Sequence, residues 1–299
     1  MAAERSIVAQ QLPLHRSDIA GDAQDDGTLE AAPDIAYLRL LFVNVVLIGT
    51  PGQPGWVLVD AGLPGMAHRI REAARARFGD HPPAAIVMTH GHFDHVGVLE
   101  DLAAEWDVPV FAHALERPYL DGSASYPTPD PSVGGGLLGR LSPLYPTRPV
   151  DVSDRLQDLP ADGSVPPMAG WRWIHTPGHA PGHVSFWREA DRTLIAGDAF
   201  VTTAQESAYA VATQEPELHG PPMYLTLDWT AARDSVRTLA ALEPERVITG
   251  HGRPLEGPEM RRALHALADT FDAVAVPKQG RYVEEPVRAA DGSAYAPPD

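Results

Sequence analysis

The sequence predicts a four-layer αββα sandwich, two β-sheets packed face to face with helices covering both outer faces. Two observations point to it. β-favouring runs alternate with helical periodicities in two comparable halves of the chain, a count that suits two sheets with helices outside them. Separately, a Gly and then a His or Asp follow several of the β-favouring runs, and groups carried at strand ends meet along one sheet edge.

Taken in order, residues 1–35 are a polar, acidic lead-in, either loosely held or supplying an edge strand. Leu38–Ile48 and Trp56–Asp60 read as a hairpin pair around the turn residues Thr50-Pro51-Gly52-Gln53-Pro54-Gly55. Met66–Phe78 reads as a helix and the apolar run Ala84–Met88 as the next strand. Asp94 is placed to cap a helix running through Glu105, and Pro109–Ala112 gives another strand.

Residues 115–155 change character, with Pro118, Pro127, Pro129, Pro131, Pro143, Pro146 and Pro149 around Gly134-Gly135-Gly136, a density that no helix interior or central strand tolerates. This insertion is expected either to lie over the strand ends as a lid or to form an oligomer contact. The second half offers strands at Trp171–His175, Val184–Trp187, Thr193–Ala196 and Arg246–Thr249. Helices are expected at Trp229–Leu242 and Pro258–Val274, with apolar residues such as Val236, Leu239, Leu264 and Phe271 at helical spacing. Residues 36–274 are thus read as one domain carrying the insertion, and residues 275–299 as an extended tail.

Composition narrows the function. The 299 residues are 44% hydrophobic, enough for a sizeable core, and Lys+Arg 23 against Asp+Glu 40 leaves a net charge of −17, which disfavours nucleic acid as a partner. There is no cysteine, so neither disulfides nor thiolate ligands arise. Neither an apolar leader nor a run of membrane-spanning length is present, so a small-molecule substrate, no membrane partner and a cytoplasmic location are the expectation.

The densest chemical signal is Thr89-His90-Gly91-His92-Phe93-Asp94-His95, directly after the apolar run Ala84–Met88. Strand-like alternation sends His90 and His92 to one side and turns Asp94 and His95 toward a second point, so two metals could sit side by side. Further ligands follow later runs: His179 in Thr176-Pro177-Gly178-His179, Asp198 after Gly197, and His251 after Gly250. Imidazole and carboxylate donors suit two divalent ions, zinc first, with iron and manganese also compatible. His68, His81, His113, His219 and His265 read as ordinary surface or hydrogen-bonded core histidines. His183 could lie behind the ligands, face substrate or be structural.

In motif and order this set resembles the metallo-β-lactamase superfamily over roughly Leu38–Asp272, with Trp56–Gly62 similar to the family's first motif. The resemblance implies the metallo-β-lactamase fold, with His90, His92 and His179 on one metal, Asp94, His95 and His251 on the other, and Asp198 bridging. It also implies that Asp60 orients a ligand histidine without being a ligand. Asp94 and Asp198 are the expected catalytic carboxylates. Phe200 and Tyr224, in the segment after Asp198, are expected to wall the substrate pocket.

Departures from named branches sharpen the expectation. Lactonases of the superfamily carry a Tyr three residues after the bridging Asp, where this chain has Val201, and the basic glutathione-binding set of glyoxalase II is not found. Flavodiiron proteins have a Glu where this chain has His92. Within the glyoxalase II-like and lactonase-like branch, the resemblance implies a dinuclear hydrolase of a small ester, thioester or lactone acting through a metal-bridging hydroxide. Alternatives are a small phosphodiesterase, a mononuclear iron dioxygenase of the persulfide type, and a non-catalytic binding protein on the same scaffold.

Overall fold

A computed structural model describes residues 12–13, 22–23, 28–134, 136–205, 207, 209 and 216–298. One sheet of eight strands runs, in spatial and chain order, β2 (Asp22–Ala23), β3 (Leu29–Ala32), β4 (Ile35–Leu40), β5 (Val43–Ile48), β6 (Val57–Val59), β7 (Ala85–Val87), β8 (Val110–Ala112) and β9 (Leu156–Asp158). A second sheet has the order β10 (Trp171–His175), β11 (Val184–Arg188), β12 (Thr193–Gly197), β14 (Arg246–Thr249) and β15 (Leu255–Glu256). In the lead-in, β1 (Leu12–Pro13) pairs with β13 (Glu217–Leu218).

Alternation along the strands builds the expected sandwich. Ile35, Tyr37, Val57, Val59, Ala85 and Val87 share a core cluster with Phe186, Ile195 and Ile248 of the second sheet. Their neighbours Leu38, Leu40, Leu58 and Ile86 point the other way, against helices α1 (Ala67–Phe78) and α2 (Leu99–Trp106). On the far side Leu194 and Val247 pack against helices Trp229–Ala240 and Gly257–Val274. Each fully buried Leu or Ile in these layers contributes roughly 1.5–3 kcal/mol. Parallel pairs β6·β7, β7·β8 and β12·β14 need crossovers, supplied by α1, α2 and the Trp229–Ala240 helix.

The structure corrects three local expectations. Leu38–Ile48 is two strands, because Leu41 adopts φ 61° and turns the chain so that Leu40 pairs with Val43. Asp94 caps no helix: α2 begins only at Leu99, with Val98 at its N-terminus and no side-chain cap bond, while Asp94 is buried among the ligand candidates. The tail is not uniformly extended. It forms a helical turn at Arg281–Glu284 and straps across the insertion, where Ser125 and Ala296 exchange backbone hydrogen bonds of 2.8 and 3.0 Å and the Tyr119 hydroxyl donates to Ala294 O at 2.7 Å. Among the described residues no helix is long and apolar enough to cross a membrane.

Candidate metal centre

The loops after β7, β10, β12 and β14 bring His90, His92, Asp94, His95, His179, Asp198 and His251 to one buried locus. Ligand atoms of His90, His92 and His179, of His90, His95 and Asp198, and of Asp94, His95 and His251 each lie within 4.8 Å of one another. The sharp turns depend on glycine where another side chain takes the room: a Cβ at Gly250 would sit 2.0 Å from Asp198 Oδ1.

Neighbouring acceptors set which ring nitrogen of four histidines is left for a cation. His95 donates from Nδ1 to Asp60 Oδ2 at 2.8 Å, and His251 donates from Nδ1 to the Phe42 carbonyl at 2.7 Å. Thr89 donates its hydroxyl to Asp60 and so accepts from His90 Nδ1 at 3.0 Å; Thr226 donates to the Pro222 carbonyl and accepts from His179 Nδ1 at 3.3 Å. Each therefore turns an Nε2 lone pair inward, the arrangement that fixes metal-binding tautomers. His92 presents Nδ1 instead, 2.9 Å from His179 Nε2.

Four of the inward atoms, His90 Nε2, His95 Nε2, Asp94 Oδ1 and Asp198 Oδ1, are buried without a hydrogen-bond partner among the described residues. An unmet buried polar atom costs about 1–3 kcal/mol, and four converging lone-pair donors are satisfied together by cations. The donor set thus fits divalent metal ions.

Electrostatics agree. Burial, reinforced by neighbouring imidazoles, holds His90 and His92 well below the usual histidine range and His179 at about 3, so all three stay neutral. Burial alone would raise Asp198, but His251 and His95 hold it well below the usual carboxylate range. For His95 and His251 the sign reverses: burial disfavours their charge, yet Asp198 together with Asp60 or Asp94 raises both.

Behind the ligands, Asp60 takes three donors: Thr89 N at 2.8 Å on Oδ1, and Thr89 Oγ1 and His95 Nδ1, both at 2.8 Å, on Oδ2. His183 accepts from the Asp198 backbone N–H through Nε2 at 2.9 Å, while its Nδ1 meets Thr176 Oγ1 at 2.8 Å. Of the roles open to it, the structure shows His183 holding the Asp198 backbone in place.

The two expected substrate contacts are both buried. Phe200 is fully buried and packs in the core between the second sheet and its helices, in one cluster with Leu218 of β13. Tyr224 belongs to the same cluster, is 4% exposed, and meets Tyr145 edge-on at 5.7 Å. Tyr145 reaches the site, its ring 5.1 Å from that of Phe93 and its hydroxyl raised by burial and by Asp94.

The insertion supplies residues that carry no sequence signal of their own. Tyr126 lays its ring 4.2 Å from that of His92, and Glu116, pushed up to about 7 by burial against the lowering effect of the Tyr126, Gly182 and Gly91 donors, sits between the loops. Asn44 was also unmarked. Its side-chain amide donates to the carbonyls of Thr249 (2.9 Å) and Gly252 (2.7 Å), gripping the His251 loop from the first sheet.

A sandwich of this topology with a buried His/Asp cluster at its strand ends defines a class of metal-binding α/β proteins. A profile of the metallo-beta-lactamase superfamily matches residues 38–251, and the chain belongs to that superfamily. It is 45% identical over 247 residues to the probable metallo-hydrolase YflN of Bacillus subtilis (strain 168), covering 82% of this chain and 94% of that protein. It is also 30% identical over 198 residues to the probable metallo-hydrolase YybB of the same organism, covering 66% and 76%. Among solved structures, a beta-lactamase domain protein from Burkholderia ambifaria superposes with a TM-score of 0.58 over 88% of this chain and 81% of that one, at 22% identity, a likeness of fold.

Proposed function

We propose that the protein is a dinuclear metal-dependent hydrolase of a small ester, thioester or lactone. The observation that carries this is the convergence of seven buried donors in overlapping groups, with Asp198 and His95 lying between the His90, His92, His179 side and the Asp94, His251 side. His90, His92 and His179 would hold one ion, Asp94, His95 and His251 the other, and Asp198 both. Divalent ions bound there supply Lewis acidity toward a carbonyl oxygen and hydroxide at neutral pH, because a coordinated water can have its pKa lowered to about 7.

The chain's own residues do the rest. Asp60, Thr89, Thr226 and Phe42 hold the imidazoles in ligating tautomers, and His183 fixes the Asp198 backbone. Asp94 offers a carboxylate oxygen with no protein partner, suited to orienting a nucleophile. In the segment after Asp198, Gln205 and His219 bury polar atoms with no hydrogen-bond partner among the described residues. The complete donor set on both sides favours two ions over the single iron of a dioxygenase.

The test is a panel of thioesters, lactones, aryl esters and bis-aryl phosphates offered to the zinc- and manganese-loaded protein. Turnover of a carboxylic ester class is expected. Turnover of bis-aryl phosphates alone would move the reading to a phosphodiesterase, and one bound iron per chain with no hydrolysis at all would overturn it.

A further inference from the structure

Glu116 is a fully buried carboxylate, 0% exposed, whose hydrogen bonds go to Gly91, Gly182 and Tyr126 at the junction of two of the loops. It lies directly after β8, on a turn of 3-10 helix, Ala114–Glu116, that opens the insertion. Its Oε2 accepts from Gly91 N at 2.9 Å, and Gly91 is the residue between His90 and His92. Its Oε1 accepts from Gly182 N at 2.7 Å, in the loop from His179 to His183. The Tyr126 hydroxyl donates to Oε2 and also accepts from Gly91 N at 3.1 Å, while the Tyr126 ring lies against His92. One carboxylate thus ties a loop of the first sheet to a loop of the second, and both loops carry ligands of the same donor group.

The two glycines read as consequences of that arrangement. A Cβ at Gly182 would fall 2.8 Å from Glu116 N and 2.9 Å from its Cγ and Oε1, and one at Gly91 would fall 3.2 Å from Tyr119 Cβ and 3.4 Å from Glu116 Oε2. Neither glycine has a positive φ, so backbone freedom does not explain them; the close approach of Glu116 explains Gly182, and Tyr119 with the Tyr126 hydroxyl that Glu116 holds crowds Gly91.

We propose that Glu116 is a positioning residue for the His90, His92, His179 donor group: by clamping Gly91 to Gly182 it sets where His92 and His179 meet, and Tyr126 seats the His92 ring. This rests on the reading of those three histidines as the ligands of one ion. Every group facing the carboxylate is a donor, so Glu116→Gln keeps the size but sets its NH2 against a donor. That frees at least one of the loops.

The experiment titrates zinc into metal-free protein against a chromophoric chelator, with His92→Ala identifying the step that belongs to this donor group. Glu116→Gln is expected to weaken that step about 10–100-fold while leaving the other as in wild type, with only the small fall in the melting temperature of the metal-free protein that one unmet buried donor causes. Tyr126→Phe, which keeps the ring and loses one donor, shifts the same step in the same direction by less, and Gly182→Ala, which displaces the carboxylate, mimics Glu116→Gln. Unchanged affinity in Glu116→Gln and Tyr126→Phe overturns the proposal, as does weakening of both steps alongside a large fall in melting temperature, the mark of a general structural role. Uptake of a single ion by wild-type protein sinks the dinuclear reading separately; the clamp is then judged on that ion, supported if Glu116→Gln weakens it and overturned if it does not.

Discussion

Asp60 concentrates the residue-scale logic. Three donors meet its two oxygens, so Asp60→Asn turns one of those bonds into a donor–donor contact and releases the His95 ring. Metal affinity should fall about 10–100-fold, as read by chelator competition, with Asp60 itself bound to no ion. A second prediction follows from the opposed shifts of the histidines. His95 and His251 are raised above the usual 6.5, so between that value and their own pKa values they are protonated in the metal-free fold and must lose those protons to ligate. Apparent metal affinity should therefore rise with pH through this window, by up to about tenfold per unit for each proton released. The same linkage gives the metal-free protein a stabilising contribution that is present below 6.5 and lost as pH rises through the raised values. Calorimetry in buffers of different ionisation enthalpy reads the protons released on binding, and zero release across this range would contradict the assigned shifts. The seven residues that cluster were legible because they sit in glycine-containing turns that follow strands. Glu116 and Asn44 were not, since their backbone partners lie 25 to 208 positions away and one buried carboxyl or amide leaves no pattern in sequence.

At the scale of elements, the strand ends and the two outer helices on the second sheet could be read from apolar spacing, and Asp228 caps the first of those helices by accepting from Ala231 N at 3.0 Å. The turn at Leu41 was hidden because no Gly, Pro or Asn marks its tip. The start of α2 was misplaced because Asp94 has the chemistry of a cap and is used by the site instead. Phe200 and Tyr224 both join the apolar cluster of the second sheet, and nearness in sequence to Asp198 does not by itself say which side of the segment faces the loops. The His179 loop and the Trp229–Ala240 helix act as one piece, since Leu227 N and Asp228 N both donate to Gly178 O at 2.9 Å. Gly178 has φ 128°, and a Cβ there would lie 2.2 Å from Ala232 N. Gly178→Ala should therefore cost about 1–3 kcal/mol in a urea melt and lower metal content, because the helix and His179 move apart together. A variant with wild-type stability and metal content would show that the loop and helix are not coupled.

For the whole molecule, the sandwich makes one edge at which loops of both sheets meet, and the insertion, the tail and the Trp229–Ala240 helix pack around that edge. The net charge of −17 does not weaken the site for cations, since long-range potential from carboxylates favours their approach. The seven-donor cluster is where the account stands or falls, and Asp198 is the residue shared between its two sides. The most direct measurement is metal content by mass spectrometry, together with ester, thioester and lactone turnover, for wild type and Asp198→Ala loaded and washed in parallel. The account predicts two ions per chain and turnover in wild type, and fewer than two ions with turnover abolished in Asp198→Ala. Full turnover with two ions retained in Asp198→Ala would contradict it.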